Sequence, residues 1–177
     1  MAKNSKTGRL DFYRTRLAEE IPLTMGVLLA LAQADLSYKP HERSSTAGQI
    51  ISTIIKGLEI RNDLAAKRQA EVAPLSADSY KELIREFEEQ SVASGKRLSQ
   101  LNQQQWEESS QLRLGEQVIL ERPLGEIMWL FHFDLIHHRG QLSTYLRPMG
   151  ATVPSIYGKS GDETADKNRT EMFGSKT

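Results

Sequence analysis

Apolar residues recur every three to four positions in four separate stretches of this chain, and that spacing commits most of its length to helices. The first stretch runs from about Leu10 to Ala34 through Leu10, Tyr13, Leu17, Ile21, Leu28 and Leu31, and Pro22 inside it predicts a kink or short break. The second spans about Ala47 to Lys67, with Ile50, Ile51, Ile54, Ile55, Leu58 and Leu64 on one stripe. Thr46 and Gln49 before it have the spacing of a capping box. The third covers about Ser79 to Leu101, with Ser79 and Glu82 as a second capping pair and Tyr80, Leu83, Ile84, Phe87, Val92, Leu98 and Leu101 as its stripe. Its small residues Ser91, Ser94 and Gly95 fit a close approach or a pocket, and equally a loosely packed surface helix. The fourth begins at Pro123, suited to a first helical position, and runs to about Arg147, where Pro148-Met149-Gly150 stops it. Between Asn102 and Arg122, Leu112, Leu114, Val118 and Leu120 alternate with polar residues, which predicts no sheet beyond a short hairpin.

Four helices with one apolar face each pack most simply as an all-α four-helix bundle. A chain of 177 residues suits one domain, here 1–157, followed by a polar tail, 158–177, expected to be disordered. Helices three and four are joined by about twenty residues, enough to cross the bundle, so simple up-down-up-down order is not forced.

Composition removes several classes of function. The sequence has no cysteine, which excludes disulfides, thiolate zinc sites and cysteine nucleophiles, and fits a reducing cytoplasm. Its 23 basic residues balance 23 acidic ones without long runs, so no basic face for nucleic acid is expected. The longest apolar run, Val27 to Ala32, falls far short of the roughly 20 residues that cross a bilayer. No membrane partner is expected, and no h-region follows the first basic residues.

Chemistry concentrates in FHFDLIHHRGQL on the fourth helix, which holds three of the four histidines. Helical spacing sets Asp134 and His138 on one face one turn apart, with His137 beside them, and Leu124, Ile127, Phe131, Leu135 and Leu142 turn that face inward. An oxygen and a nitrogen so placed are two donors for one divalent metal. Spacing alone favours a metal-free Asp–His hydrogen bond that satisfies both groups, because a metal needs a third ligand from another helix. His132 points elsewhere, as a surface or interface residue, and His41 reads as a solvated loop histidine.

The segment DLIHHRGQLSTYLRPMGATVPSIY, Asp134 to Tyr157, resembles the last-helix signature of DinB/YfiT-type proteins, with its H-R-G-Q core and L-R-x-x-G. KPHERSSTAGQI, Lys39 to Ile50, resembles the loop that leads into that family's second helix. The resemblance covers roughly Leu10 to Tyr157 and implies a four-helix bundle in up-down-down-up order, often a homodimer. It also implies a divalent metal, nickel or zinc, held by one histidine on helix two and an H-x-x-x-H pair on the last helix. Carried over, the second of the pair is His138, the first falls on Asp134, and the helix-two ligand falls on Thr53. One of three expected imidazoles is intact.

Two functions follow from the resemblance. One is a cytoplasmic metal-dependent enzyme, a hydrolase or low-molecular-weight-thiol transferase acting on a small molecule. There Asp134 and His138 would hold the metal, His137 would act as base and Thr53 would line the pocket. The other is a non-catalytic dimeric binding or stress-response bundle with a decayed metal site. Exposed candidates for pairing, Trp129, Phe133 and His132, lie on the far side of the last helix from Asp134, or else pack under the preceding connection.

Overall fold

A computed structural model describes residues 8–32, 34–73 and 79–162 of the chain. The four long helices are α1, Arg9–Leu29; α2, Ala47–Lys67; α3, Tyr80–Gln100; and α5, Leu124–Leu146. A single-turn helix, α4, Gln103–Trp106, precedes a hairpin of β2, Ser109–Leu114, and β3, Gln117–Pro123. A 3-10 turn, Arg147–Met149, closes α5 and ends at Gly150 with φ +77. Among the described residues no helix is long and apolar enough to cross a membrane.

The starts of these helices follow local chemistry. Thr46 accepts from the Gln49 amide while the Gln49 side chain accepts from the Thr46 amide, closing a capping box. Ser79 Oγ accepts from the Glu82 amide at the start of α3. Helix α1 continues through Pro22 without the expected break. At its other end it stops earlier than the periodicity suggests, at Leu29, and turns follow. Pro123 takes extended ψ as the N-cap of α5 and the last residue of β3, so the helix begins one residue later than expected.

Helix α1 packs on α3 and α5, and α2 packs on the same two. That explains the broad apolar face of α2: Ile50, Ile54 and Leu58 are buried, and so are Ile51, Ile55 and Leu64. Removing each such side chain from water contributes roughly 1.5–3 kcal/mol, which outweighs the mild helix cost of β-branching. Phe87 of α3 and Leu124, Ile127 and Leu142 of α5 complete the core.

The sheet corrects the expectation of a hairpin alone. A third strand, β1, Gln69–Glu71, runs parallel to β2 and makes the order β1-β2-β3. It grows directly out of α2, because Arg68 takes a left-handed conformation at the helix end, φ +61. The Arg68 guanidinium offsets that strain by donating to the Leu64 and Ala65 carbonyls and pairing with Glu108. Three residues bonded through their backbone leave no side-chain period to read.

The small residues of α3 do two things. Ser94 donates to Asn62 of α2 at 2.7 Å, a close approach through the core. On the side facing α1 they leave a groove of about 390 Å3 lined by Leu17, Ala18, Ile21, Gly95 and Leu98. Of the tail, Gly158 to Asp162 is described, and Asp162 there accepts from Arg147 and from the Val153 amide. The rest of the tail lies outside the described residues.

Candidate functional site

Helix α5 carries the chemistry on two adjoining strips of its surface. Its buried strip passes through Leu124, Met128, His132, Leu135, Arg139 and Leu142. Asp134 and His138 lie on the rim of that strip. Their side chains are 42% and 21% exposed, and Asp134 Oδ1 meets His138 Nε2 at 3.3 Å, one turn apart. His138 Nδ1 meets the Gln141 amide oxygen at 3.3 Å, so both ring nitrogens have partners on the same helix. His137 is exposed, its ring 5.1 Å from that of His138.

Thr53, on α2, sits level with this pair. The two helices run antiparallel: Tyr145 donates to the Ser45 carbonyl near one end, and Phe131 packs against Gly57 near the other. Interpolation between those contacts sets Thr53 opposite the Asp134–His138 turn. Its side chain, though, is exposed and donates to the Gln49 carbonyl at 3.0 Å. It edges an open groove toward Tyr80 and Leu83, and neither Asp134 nor His138 lines that groove.

His132 is not a surface residue. It is 2% exposed, packed between Tyr13 at 5.6 Å and Trp129 at 5.0 Å. The helix period explains the correction: His132 lies one turn after Met128 and one turn before Leu135, both buried. Burial first, and then the Arg61 guanidinium, push its pKa down to about 4, so the ring is neutral at physiological pH. Its Nδ1 has no hydrogen-bond partner among the described residues. Trp129 is half-buried and Phe133 exposed.

The buried strip also holds charges that the histidine pattern does not announce. Arg139 is 1% exposed and forms an ion pair with Glu20 of α1, itself 7% exposed. The Tyr157 hydroxyl closes the cluster, accepting from Arg139 at 2.6 Å and donating to Glu20 at 2.7 Å. Burial and the bond to Glu20 raise its pKa and keep it protonated. Nearby Arg61 of α2 is 2% exposed, with Nη1 3.4 Å from the Tyr13 hydroxyl and Nε and Nη2 unpartnered among the described residues. A signal for both charges exists: Leu10-Tyr13-Leu17-Glu20-Thr24 and Ile50-Ile54-Leu58-Arg61-Ala65 are helical stripes with a charge on the apolar face.

Comparison with known proteins decides the family. A model of the DinB family matches residues 6–171. The chain belongs to the DinB family. It is similar to the Bacillus subtilis (strain 168) protein described as "Uncharacterized protein YrdA", 27% identical over 165 residues, 88% of this chain and 92% of that one. Among solved structures it is similar to the crystal structure of a DinB-like protein, YjoA, from Bacillus subtilis. There the TM-score is 0.67 at 18% identity, over 84% of this chain and 99% of that one, a likeness of fold.

The metal that a DinB resemblance implies can be tested against the donors present. Zinc and nickel sites of the catalytic kind draw on three protein ligands. Here the family positions offer one carboxylate, one imidazole and one hydroxyl that already donates to a backbone carbonyl. Among the described residues no group of three His, Cys, Asp or Glu side chains converges. The residues of this DinB protein do not fit a three-ligand centre.

Proposed function

We propose that this DinB-family chain is a small-molecule-binding helix bundle without a three-ligand metal centre. The donor set supports the reading: Asp134 and His138 meet each other, and the Thr53 hydroxyl, at the family's third-ligand position, donates to the Gln49 carbonyl instead. The apolar groove between α1 and α3 supports it, since a volume of about 390 Å3 falls within the roughly 300–1,000 Å3 of ligand sites. The fold order we infer is up-down-down-up, in line with the antiparallel register of α2 and α5. We infer a cytoplasmic location from the cysteine-free composition.

A second reading, a metal-dependent hydrolase or thiol transferase, is favoured by one observation, the Asp134–His138 contact at 3.3 Å with His137 beside it. Under it Asp134 and His138 would supply two donors to nickel or zinc, water would complete the shell, and His137 would stand as base. Calorimetric titration of nickel separates the two. The first reading expects binding weaker than about 1 μM in the parent, and no tighter in Thr53→His, because position 53 opens on the groove toward Tyr80 and Leu83. Submicromolar nickel binding by the parent, abolished in His138→Ala, would replace the first reading with the second. A gain of about tenfold in Thr53→His would mean that position 53 can turn toward the pair.

We also propose a homodimer. Phe12, Leu130 and Phe133 are exposed, and Phe12, Trp129 and Phe133 stack at 6.0 and 5.7 Å along one side of α1 and α5. Light scattering that returns twice the chain mass, and a single mass for Phe133→Glu, is the expected result. A single mass for the parent at micromolar concentration would overturn it.

A further inference from the structure

Among the described residues Arg61 has no carboxylate paired with it. It sits mid-way along α2 at 2% exposure, and a guanidinium keeps its proton at any physiological pH. Two of its three nitrogens, Nε and Nη2, have no partner among the described residues. The one buried carboxylate among the described residues, Glu20, is already engaged by Arg139 and Tyr157. A buried charge left unpaired is one of the costliest arrangements a fold can hold. The cleft beside Arg61, lined by Tyr13, Leu17, Ser94, Leu98 and Met128, leaves no water-sized space in this conformation. Solvent does not satisfy the guanidinium from that side.

Leu17, Ser94 and Leu98 line both this cleft and the open groove between α1 and α3. Leu17 and Leu98 are the aliphatic side chains that stand between the two, and a ligand that reaches Arg61 must displace one of them. The groove walls are mostly aliphatic, and its polar residues already spend their protons: Ser91 donates to the Phe87 carbonyl, Ser94 to Asn62 and Ser99 to the Lys96 carbonyl. Arg14 there donates to the Leu98 and Leu101 carbonyls and pairs with Asp11. An anion entering the groove therefore finds its free donors at Arg61 and not at the rim.

We propose that the α1–α3 groove binds a small carboxylate with an apolar tail, the carboxylate reaching inward to Nε and Nη2 of Arg61 and the tail lying along Leu17, Ala18 and Ile21. Nε and Nη2 form one edge of the guanidinium fork, which matches the two oxygens of a carboxylate. The proposal rests on the small-molecule reading above and names its ligand class.

Octanoate, 1-octanol and inorganic phosphate titrated into the full chain test it, by calorimetry and by thermal shift. Octanoate should bind once per chain, at least about tenfold more tightly than octanol, and phosphate should bind no more tightly than octanol. Gly95→Leu projects into the groove from a position where a Cβ meets nothing within 4 Å, and leucine favours helix over glycine. That variant should keep the parent's fold and lose octanoate. Arg61→Met should erase the preference for octanoate over octanol while its ligand-free Tm stays at or above the parent's.

Octanoate binding no tighter than octanol, phosphate alone binding as well as octanoate, or Gly95→Leu leaving binding intact would overturn the proposal. So would a lower ligand-free Tm, or failure to fold, in Arg61→Met, because the guanidinium would then be serving the fold. If octanoate fails and purified protein carries no stoichiometric metal, the ligand class is wrong and the small-molecule reading stands. A stoichiometric metal removes that reading whatever octanoate does.

Discussion

On the rim of α5, Asp134 and His138 meet at 3.3 Å with water against both side chains. One residue further along the same helix, Arg139 meets Glu20 with both side chains nearly sealed from water. Partner groups are close together in each place, yet solvent makes their energetics differ by several-fold. On the rim, water screens the pair and hydrates whichever group loses its partner. In the interior, each charge depends on its partner, because its own hydration has been lost. The HHRGQL stretch that draws attention in the sequence contributes both kinds. Its arginine, rather than its histidines, ties α5 to α1.

Arg139→Ala should break this contrast most severely. It leaves Glu20 buried without a cation and should cost about 3–5 kcal/mol in urea unfolding. A loss below 1 kcal/mol would mean that water reaches the pair. His132 comes next. Its folded pKa, about 4, lies below the ordinary value near 6.5, so the unfolded chain binds more protons between those limits. Its contribution is therefore complete above pH 6.5 and is lost as pH falls toward 4, by roughly 2–3 kcal/mol at one pKa unit per 1.36 kcal/mol. His132→Phe should flatten that part of the stability–pH curve, and an unchanged slope would assign the acid sensitivity to other groups.

Tyr157→Phe removes a hydroxyl that bonds to both Glu20 and Arg139, and about 1 kcal/mol should be lost. Asp134→Ala should change stability least, by no more than about 0.5–1 kcal/mol. Should Asp134→Ala destabilise as much as Arg139→Ala, the distinction between rim and interior would collapse.

Much of this was legible in advance, for identifiable reasons. Period 3.6 located α1, α2, α3 and α5, and hydroxyl caps at Thr46 and Ser79 marked the starts of two of them. Helical spacing alone brought Asp134 and His138 together. Strand β1 was illegible because parallel pairing of Gln69–Glu71 with β2 needs only backbone groups. His132 reads as a surface residue when the inward face is centred on Asp134, but the buried strip centres on Leu135, and a shift of one residue turns a helix face by about 100°. Glu20 and Arg61 each interrupt an apolar stripe. A charge at such a position looks like an imperfection in the pattern until its burial is seen.

Metal content tests the central claim most directly. Protein purified without an affinity tag or added metal, and analysed for nickel, zinc, iron and manganese, should carry far less than one transition metal per chain. The same content should be found in Asp134→Ala and His138→Ala. One metal per chain in the parent, lost in both variants, would contradict the account and restore a metal centre on the rim of α5.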